Sequence, residues 1–191
     1  MKEIVIISGK GGTGKTSITA SFASLAQDSV LADCDVDAAD LHLILDPQVK
    51  QESDFSGGSQ ASIDPVKCTR CGKCLQMCRF GAVTHDPQQG TYTIDPVSCE
   101  GCKVCVEFCP AGAINFEPAG NGKWYISDTR FGPMVHAKLG IAEENSGKLV
   151  TLIRQKAKEK AETEDKKMII ADGSPGVGCP VIASLTNADV A

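Results

Sequence analysis

The sequence has no long hydrophobic run. Its 191 residues contain no window that approaches the roughly 18 continuous apolar residues of a membrane-spanning helix. The short apolar run Ile4–Ile7 is followed by Ser8 and Gly9 instead of a signal-peptide core and its cleavage site. These absences predict a cytoplasmic protein without a membrane span. In that compartment thiols stay reduced, and clustered cysteines are more often metal ligands than disulfides.

The chain also lacks an excess of positive charge and a histidine-based catalytic set. Its 19 Lys and Arg residues against 24 Asp and Glu residues give a formal charge of −5. This balance argues against nucleic-acid or anionic-membrane binding driven by charge, so no nucleic-acid partner is expected. The three histidines, His42, His85 and His136, are isolated in the sequence, and no Cys/His or Ser/His/Asp arrangement can be argued.

A glycine-rich loop lies between a predicted strand and a predicted helix. Glu3–Ile7 is a β-branched run typical of a buried parallel strand, and Thr16–Ala26 has the apolar spacing of a helix. The loop Gly9-Lys10-Gly11-Gly12-Thr13-Gly14-Lys15-Thr16 between them satisfies G-x-x-x-x-G-K-[ST]. In such loops backbone N–H groups surround phosphates, the lysine (Lys15) reaches the β- and γ-phosphates, and the hydroxyl (Thr16) binds Mg²⁺.

Because Lys10 makes the loop K-G-G-T-G-K-T, it resembles the deviant Walker A motif of the MinD/ParA/Mrp ATPases, which are related to the nitrogenase iron protein. The resemblance implies an α/β P-loop NTPase fold, with a mostly parallel sheet and flanking helices, that hydrolyses ATP with Mg²⁺. It implies that Lys10 reaches the phosphates of a partner subunit, so that ATP binding and homodimer formation are one event. Lys10 and Lys15 are then catalytic. The predicted nucleotide contacts in the loop are Gly9, Lys10, Gly11, Gly12, Thr13, Gly14, Lys15, Thr16 and Ser17.

Three more residues take roles from the same resemblance. Asp35 follows the second predicted strand, Ser29–Asp33, and matches the catalytic residue that orients or activates the attacking water. Asp172 follows the predicted strand Lys167–Ala171 and matches the aspartate that, with Thr16, holds Mg²⁺. Gly176 matches a glycine that senses the γ-phosphate. For the neighbouring Asp33, ordinary capping or solvation is an equal alternative.

Eight of the ten cysteines form an internal duplication with an offset of 31 residues. Each copy has the spacing C-x₂-C-x₂-C-x₃-C, which is that of the bacterial two-cluster ferredoxin. This resemblance implies two [4Fe–4S] clusters, each with three ligands from one copy and the fourth from the other. The predicted ligand sets are Cys68, Cys71, Cys74 and Cys109 for cluster 1, and Cys99, Cys102, Cys105 and Cys78 for cluster 2.

Alternatives remain open for several cysteines. Zinc, which favours separated CxxC pairs, and disulfides are the alternatives to iron–sulfur clusters. Cys109 precedes a proline, as in ferredoxins, whereas Cys78 precedes Arg79. Arg79 either raises the potential of its cluster or marks a docking face, or it is an ordinary exposed arginine. Cys34 is expected to be a small buried residue. Cys179 resembles a cluster-bridging cysteine of the nitrogenase iron protein, but a buried structural role is the favoured prediction.

The order of the motifs predicts an inserted domain. The glycine loop and Asp172 should belong to one sheet, so residues 1–55 and 121–191 are predicted to form the P-loop domain. Residues 56–120 are predicted to form a small α+β two-cluster ferredoxin-like insertion. The polar stretch Ser53–Ser62 is predicted to be the junction, on which a nucleotide-dependent movement of Asp35–Leu45 would pull. The apolar stripe of Leu149–Ala161 predicts a helix against the sheet.

Only about three strands are predicted outside the insertion, which is few for a doubly wound sheet. A C-terminally truncated chain is therefore expected, with Asn187–Ala191 as the opening of a further strand.

The sequence therefore predicts an ATP-hydrolysing iron–sulfur protein. In this prediction nucleotide-driven dimerisation is coupled to electron transfer through two [4Fe–4S] clusters to an unidentified redox partner protein. One alternative is an ATPase that assembles or carries Fe–S or other metalloclusters, as Mrp-like relatives are thought to do. Another is a MinD/ParA-like positioning ATPase whose clusters sense redox state.

Overall fold

Strands and helices of this chain assemble into two units in a computed structural model, which describes residues 1–26, 28–120, 122–140 and 146–191. One unit consists of Met1–Phe55 and Asn121–Ala191, and the other consists of Ser56–Gly120. In chain order the elements are β1 (Lys2–Ser8), α1 (Lys15–Leu25), β2 (Ser29–Asp33), α2 (Leu41–Leu45), β3 (Gln48–Phe55), β4 (Gly58–Ile63), α3 (Lys73–Met77), β5 (Val83–Asp86), β6 (Thr91–Ile94), α4 (Val104–Glu107), β7 (Ile114–Ala119), β8 (Gly122–Thr129), β9 (Gly132–Leu139), α5 (Ser146–Thr163), β10 (Met168–Pro175) and α6 (Cys179–Leu185).

The first unit is built on a six-stranded sheet with the order β1-β10-β2-β9-β8-β3. Strands β1, β10, β2 and β9 run parallel, whereas β8 and β3 are antiparallel to their neighbours. The carboxyl ends of the four parallel strands therefore lie at one edge, which is where ligands bind in open α/β sheets. Within the described ranges, no helix is both long and apolar enough to cross a membrane.

Helices cover both faces of the central strands. On one face, Val30 and Ile169 share a core cluster with the predicted stripe of α5, whose residues are fully buried: Leu149, Val150, Ile153, Ala157 and Ala161. On the other face, Leu31 and Ile170 share a cluster with residues of α1 and α2. Burial on both faces explains why β2 and β10 read as continuous apolar runs, and the predicted stripe of α5 is confirmed.

The expectation of about three strands outside the cysteine region is wrong, because three more, β3, β8 and β9, belong to the sheet. Residues 48–52 of β3 are all exposed, which suits a polar edge strand and removes the apolar signal. Strands β8 and β9 form a hairpin in which Thr129 Oγ1 accepts the Phe131 N–H at 3.2 Å and donates to the Gly132 carbonyl at 2.7 Å.

The predicted further strand at Asn187–Ala191 is limited to a single parallel bridge, in which Val190 lies opposite Ile4 of β1. The Val5 N–H donates to the Val190 carbonyl at 2.9 Å.

The predicted junction at Ser53–Ser62 contains the boundary between the two units, which lies between Phe55 and Ser56, and most of the stretch is paired strand. Strand β3 is paired with β8 as far as Phe55 opposite Gly122, and β4 is paired with β7 from Gly58 opposite Ala119. Only residues 56 and 57 separate the two strands. Polar side chains do not prevent strand pairing, because the ladder uses backbone groups. A movement of the segment after β2 would therefore be transmitted along the chain to the second unit through the paired strand β3.

The second unit contains two small antiparallel sheets, β4 with β7 and β5 with β6, and the short helices α3 and α4. Because Gly58 lies opposite Ala119, the two ends of this unit are adjacent. That pairing gives the unit the geometry that an insertion between two paired strands requires.

Replacement of Ile153 by Ala should lower the free energy of unfolding by about 2–5 kcal/mol, because it leaves a cavity between α5 and the sheet. Lys158→Ala on the exposed side of the same helix is the matched control, with an expected change below about 0.5 kcal/mol. Urea unfolding followed by far-ultraviolet circular dichroism measures both, and equal effects would contradict the packing of α5.

Candidate functional site

The glycine loop connects β1 to the N-terminus of α1. Gly12 and Gly14 have φ angles of 77° and 86°, a left-handed conformation that residues with a Cβ rarely adopt. A Cβ added at Gly9, Gly11, Gly12 or Gly14 would meet no atom within 4 Å. The loop therefore presents uncrowded backbone at a helix N-terminus, where N–H groups and the helix dipole favour an anion.

The ammonium group of Lys15 is buried between two carboxylates. Its Nζ lies 2.8 Å from Asp172 Oδ1 and 3.2 Å from Asp35 Oδ2, and the residue is only 7% exposed. The angles of both contacts are poor for hydrogen bonds, so within the described residues they are best described as ion pairs. The two carboxylates compensate the charge, and the ammonium has three N–H donors, more than these two contacts can use.

Asp172 is fully buried and is held by two hydroxyl groups of α1. Thr16 Oγ1 donates to Asp172 Oδ2 at 2.8 Å, and Thr19 Oγ1 donates to Asp172 Oδ1 at 2.8 Å. The sheet register places Asp172 of β10 opposite Ile6 of β1 and Asp33 of β2. The structure thus brings Lys15, Thr16, Asp35 and Asp172 together at the carboxyl edge of the parallel strands.

Burial changes the ionisation of the two aspartates at the end of β2. Burial raises the pKa of Asp33 well above its usual range, and the nearby Asp172 carboxylate raises it further. Asp33 Oδ1 accepts the Asp35 N–H at 3.2 Å, whereas Oδ2 is buried with no hydrogen-bond partner in the part of the chain that the structure describes. Burial also raises the pKa of Asp35, against the lowering effect of Lys15. Solvation, one alternative for Asp33, is therefore wrong.

The other predicted nucleotide contacts surround the loop. Lys10 and Ser17 are exposed, and the Lys10 carbonyl accepts a hydrogen bond from Ser8 Oγ at 2.9 Å and a longer one from Thr13 Oγ1 at 3.5 Å. Gly176 has a φ of 93° and donates its N–H to the Ser8 carbonyl at 2.9 Å. The segment that follows β10 is therefore attached to the end of β1, beside the loop.

The eight repeated cysteines border two cavities in the second unit. One cavity is lined by Cys68, Cys71, Cys74 and Cys109. The other is lined by Cys78, Cys99, Cys102 and Cys105. Each cavity thus combines three cysteines of one copy with the fourth of the other. Across the described residues, no group of three or more Cys, His, Asp or Glu side chains has the geometry of a single-ion site.

The two copies also exchange backbone hydrogen bonds. The Asp64 N–H at the start of the first copy donates to the Ala113 carbonyl at the end of the second, at 2.8 Å. The Asp95 N–H at the start of the second copy donates to the Ala82 carbonyl of the first, also at 2.8 Å. This reciprocal exchange places the fourth cysteine of each copy, which lies shortly before Ala82 or Ala113, beside the loop of the other.

Each cysteine loop has two left-handed residues, and glycine stands where another group approaches closely. At the first position Arg70 and Gly101 correspond, with φ of 58° and 60°, and a Cβ at Gly101 would overlap the Ser59 carbonyl oxygen. At the second position Gly72 and Lys103 correspond, with φ of 73° and 67°, and a Cβ at Gly72 would lie 2.9 Å from the Tyr92 hydroxyl. Because Arg70 and Lys103 adopt the same left-handed φ as the glycines, backbone conformation does not explain where glycine stands. The close approach of another group explains it.

The sulfur atoms of the two copies have different surroundings. Burial raises the pKa of the corresponding thiols of Cys74 and Cys105. For Cys78 burial also acts to raise the pKa, but backbone N–H groups directed at its sulfur lower it overall; these belong to Phe80, Val83, Ala82 and Gly81. The corresponding Cys109 sulfur accepts the Ala113 N–H at 3.3 Å.

The remaining cysteine predictions have mixed outcomes. All ten cysteines are free, so the disulfide alternative is wrong. Cys34 is fully buried as predicted, burial raises the pKa of its thiol, and its N–H donates to the Asp172 carbonyl at 2.8 Å. Cys179 is exposed at the start of α6, so the expectation of a buried structural residue is wrong. Arg79 is exposed.

A second group of residues in the first unit was not predicted from the sequence. His42 and His136, which are isolated in the sequence, line the same cavity together with Tyr125 of β8. The aromatic residues around Tyr125 and the turn glycine Gly132 are the hairpin signals that would have located these strands.

Comparison with known proteins identifies the cysteine region. The profile of the 4Fe-4S dicluster domain family matches residues 67–113. The chain therefore carries an iron–sulfur, ferredoxin-like domain, and the prediction of 4Fe–4S clusters is confirmed at that level. An uncharacterized protein of Methanocaldococcus jannaschii is 40% identical over 193 aligned positions, which cover 99% of this chain and 65% of that relative. The chain thus spans less than two thirds of the relative's length.

Gly101→Ala should reduce the iron content of the anaerobically purified chain to about half, because the new Cβ pushes the loop of Cys99 and Cys102 away from Ser59. Gly112→Ala is the matched control, since Gly112 has a similar φ of 56° and its Cβ would meet no atom within 4 Å. Iron and acid-labile sulfide per chain measure the effect. Equal losses in the two variants would show that strain, and not the Ser59 contact, decides cluster binding.

Proposed function

We propose that the loop Gly9–Thr16 binds ATP with Mg²⁺, and that nucleotide binding controls electron transfer through the two [4Fe–4S] clusters. The observation that carries the nucleotide part is the buried ammonium of Lys15, whose two carboxylate partners leave at least one of its three N–H donors without an acceptor among the described residues. Phosphate oxygens arriving over the open glycine backbone would supply those acceptors. An unsatisfied buried donor beside an uncrowded loop is the arrangement that a phosphate ligand completes.

The residues around Asp172 suit Mg²⁺. This cation prefers oxygen ligands and keeps several of its waters, and it is commonly held by a carboxylate and substrate phosphates. Thr16 Oγ1 and Asp172 Oδ2 lie 2.8 Å apart, so one hydroxyl and one carboxylate oxygen are already adjacent. Thr19 fixes the other oxygen of Asp172. When bound, Mg²⁺ would offset the negative charge of the phosphates at this edge.

The proposed hydrolysis depends on Asp35 changing partners. Asp35 is now paired with Lys15 at 3.2 Å. Once phosphate oxygens take the ammonium donors, the Asp35 carboxylate is free to orient a water toward the terminal phosphate. Phosphoryl transfer requires positioning and charge stabilisation more than covalent help, and a fixed carboxylate can supply the positioning. The hydrogen bond from the Asp35 N–H to Asp33 holds this segment at the end of β2.

The proposed homodimer rests on Lys10. Its side chain is exposed and has no ion pair among the described residues, while its carbonyl anchors the loop through Ser8. A lysine in this position can extend toward the phosphates held by a second copy. ATP binding and dimer formation are then one event.

The proposed redox role uses both cysteine cavities. Two clusters in one small domain form a short electron path, and a redox partner protein would deliver or accept the electron. Connection to the nucleotide site follows the chain order, from Asp35 through α2 into β3, which leads into the cysteine unit. Because β3 is paired with β8 over its length, a nucleotide-dependent change would reach the cysteine unit as a shift of the paired strand β3, and not as the movement of an unpaired linker.

A second candidate function is cluster assembly or delivery. The exposure of Cys179 favours it, because a thiol that takes part in metal transfer must be accessible. Each cavity is lined by four cysteines, which favours clusters that stay in place, and we therefore place electron transfer first.

Lys15→Met should weaken binding of Mg-ATP by about 10- to 100-fold, because a charge-assisted contact to phosphate is lost. Asp35→Asn should retain binding and slow hydrolysis by about 100-fold or more. Lys158→Met, at an exposed position of α5, is the matched control for the loss of a lysine. Calorimetric titration and phosphate release measure these effects. Unchanged binding by folded Lys15→Met would contradict the proposed site.

Redox titration followed by electron paramagnetic resonance tests the coupling. The wild-type protein should show shifted midpoint potentials or a changed rate of electron transfer when Mg-ATP is added, whereas Lys15→Met should not respond. Potentials and rates that are indifferent to Mg-ATP would remove the coupling while leaving the two sites in place. Transfer of labelled iron to a cluster-free acceptor, abolished by Cys179→Ser, would favour the assembly function instead.

A further inference from the structure

A large cavity at the carboxyl edge of the first unit is used by neither the glycine loop nor the cysteines. Its volume is about 580 Å³, within the usual range for sites that hold small organic molecules. Its walls come from the segment after β2, from α2 and from strands β3, β8 and β9. The lining residues include Val36, Asp37, His42, Tyr125, His136 and Lys138.

One wall of this cavity is a fixed pair of aromatic rings. Tyr125 and His136 are opposite each other on β8 and β9, and their rings stack with centroids 5.0 Å apart and planes inclined by 23°. The His136 Nε2 lies 2.8 Å from the hydroxyl of Ser127, which is fully buried, so the imidazole has a defined orientation. Burial, with a smaller effect of His42, lowers the pKa of His136 to about 4. At neutral pH this ring is therefore uncharged and offers an aromatic surface.

The rest of the cavity combines apolar residues with a few charged or polar groups. Val36, Val49 and Leu139 contribute aliphatic surface. Lys138 and Asp37 are both exposed, and neither has an ion pair in the part of the chain that the structure describes, so the lining offers one ammonium group and one carboxylate. Aromatic and aliphatic walls suit a flat ring, because the ring replaces water against them, and an anionic group on that ring would be held at Lys138 and away from Asp37.

We propose that this cavity binds a small planar aromatic or heteroaromatic molecule that carries an anionic group. Tyr125 and His136 hold the ring, and Lys138 holds the anion. The site is separate from the glycine loop in its residues, but Val36 and Asp37 directly follow Asp35. A ligand in the cavity therefore contacts the segment that carries the proposed water-positioning carboxylate.

Benzoate, benzyl alcohol and benzylammonium are the probes for this proposal, because they share a ring and differ in charge. The full chain, purified without oxygen and with its clusters oxidised, is titrated without nucleotide and followed by ligand-detected nuclear magnetic resonance. Benzoate should bind with a Kd of about 1 mM, as expected for a ligand of this size. Benzyl alcohol should bind more weakly, and benzylammonium should bind most weakly.

Variants locate the binding in the cavity. Tyr125→Leu should weaken benzoate binding by about 2- to 10-fold through loss of the aromatic wall, whereas Tyr125→Phe should bind as the wild type does. Lys138→Gln should weaken binding by up to about fivefold and remove the preference for benzoate over benzyl alcohol. Lys158→Gln controls for the loss of a distant exposed lysine.

Several outcomes would overturn the proposal. These are the absence of saturable benzoate binding, equal affinity for benzoate and benzylammonium, and equal binding by folded Tyr125→Leu and the wild type. Since no nucleotide is present, failure here is distinct from failure of the ATP site.

Discussion

Burial of the Lys15 ammonium imposes a requirement on the whole carboxyl edge of the sheet. A charge removed from water is tolerated only when opposite charges compensate it at short range. Here the compensation comes from Asp172 on β10 and Asp35 after β2, so β1, β10 and β2 must be adjacent, parallel and in register. The helices on both faces and the hydroxyls of Thr16 and Thr19 complete the arrangement. The ammonium has three N–H donors and two carboxylate partners, and the proposed function uses the donor capacity that is left.

The cysteine unit depends on a different constraint, which is the exchange between its two copies. Each loop needs left-handed residues to direct three sulfurs at one cavity, and the fourth sulfur comes from the other copy. The reciprocal hydrogen bonds from Asp64 and Asp95 keep the copies in this relation. Differences within the duplication, such as the N–H groups directed at Cys78, show that the two cavities are not chemically equal. Hydrogen bonds to sulfur and solvent exposure are among the factors that set cluster potentials.

Residues with strong local signals were placed well from sequence, and residues whose signal depends on context were not. The P-loop pattern located Lys15 and Thr16, and the cysteine spacing grouped the sulfurs as the cavities do, because both patterns encode a loop geometry within a few residues. Strand β3 is a polar edge strand, and polar residues interrupt the apolar ones of β8 and of β9, where they are His136 and Lys138, so none of the three has the continuous apolar run of a buried parallel strand. The junction predicted from composition at Ser53–Ser62 contains the boundary between the two units, whereas the pairing of its residues with β8 and β7 was not predicted. Cys179 was expected to be buried from the usual behaviour of cysteine, yet its position at the start of α6 exposes it.

By itself the sequence determined the iron–sulfur character of residues 67–113 and the glycine loop, since spacing along a short stretch of chain fixes which sulfurs and which N–H groups can converge. Only the tertiary structure decided that Lys15 meets Asp172 and Asp35 in a buried site, and that Tyr125, His136 and Lys138 line a cavity with His42. These groups lie far apart along the chain, and their meeting depends on strand order and register. Sheet pairing of this kind is set by the combined packing of both faces, which no local pattern contains.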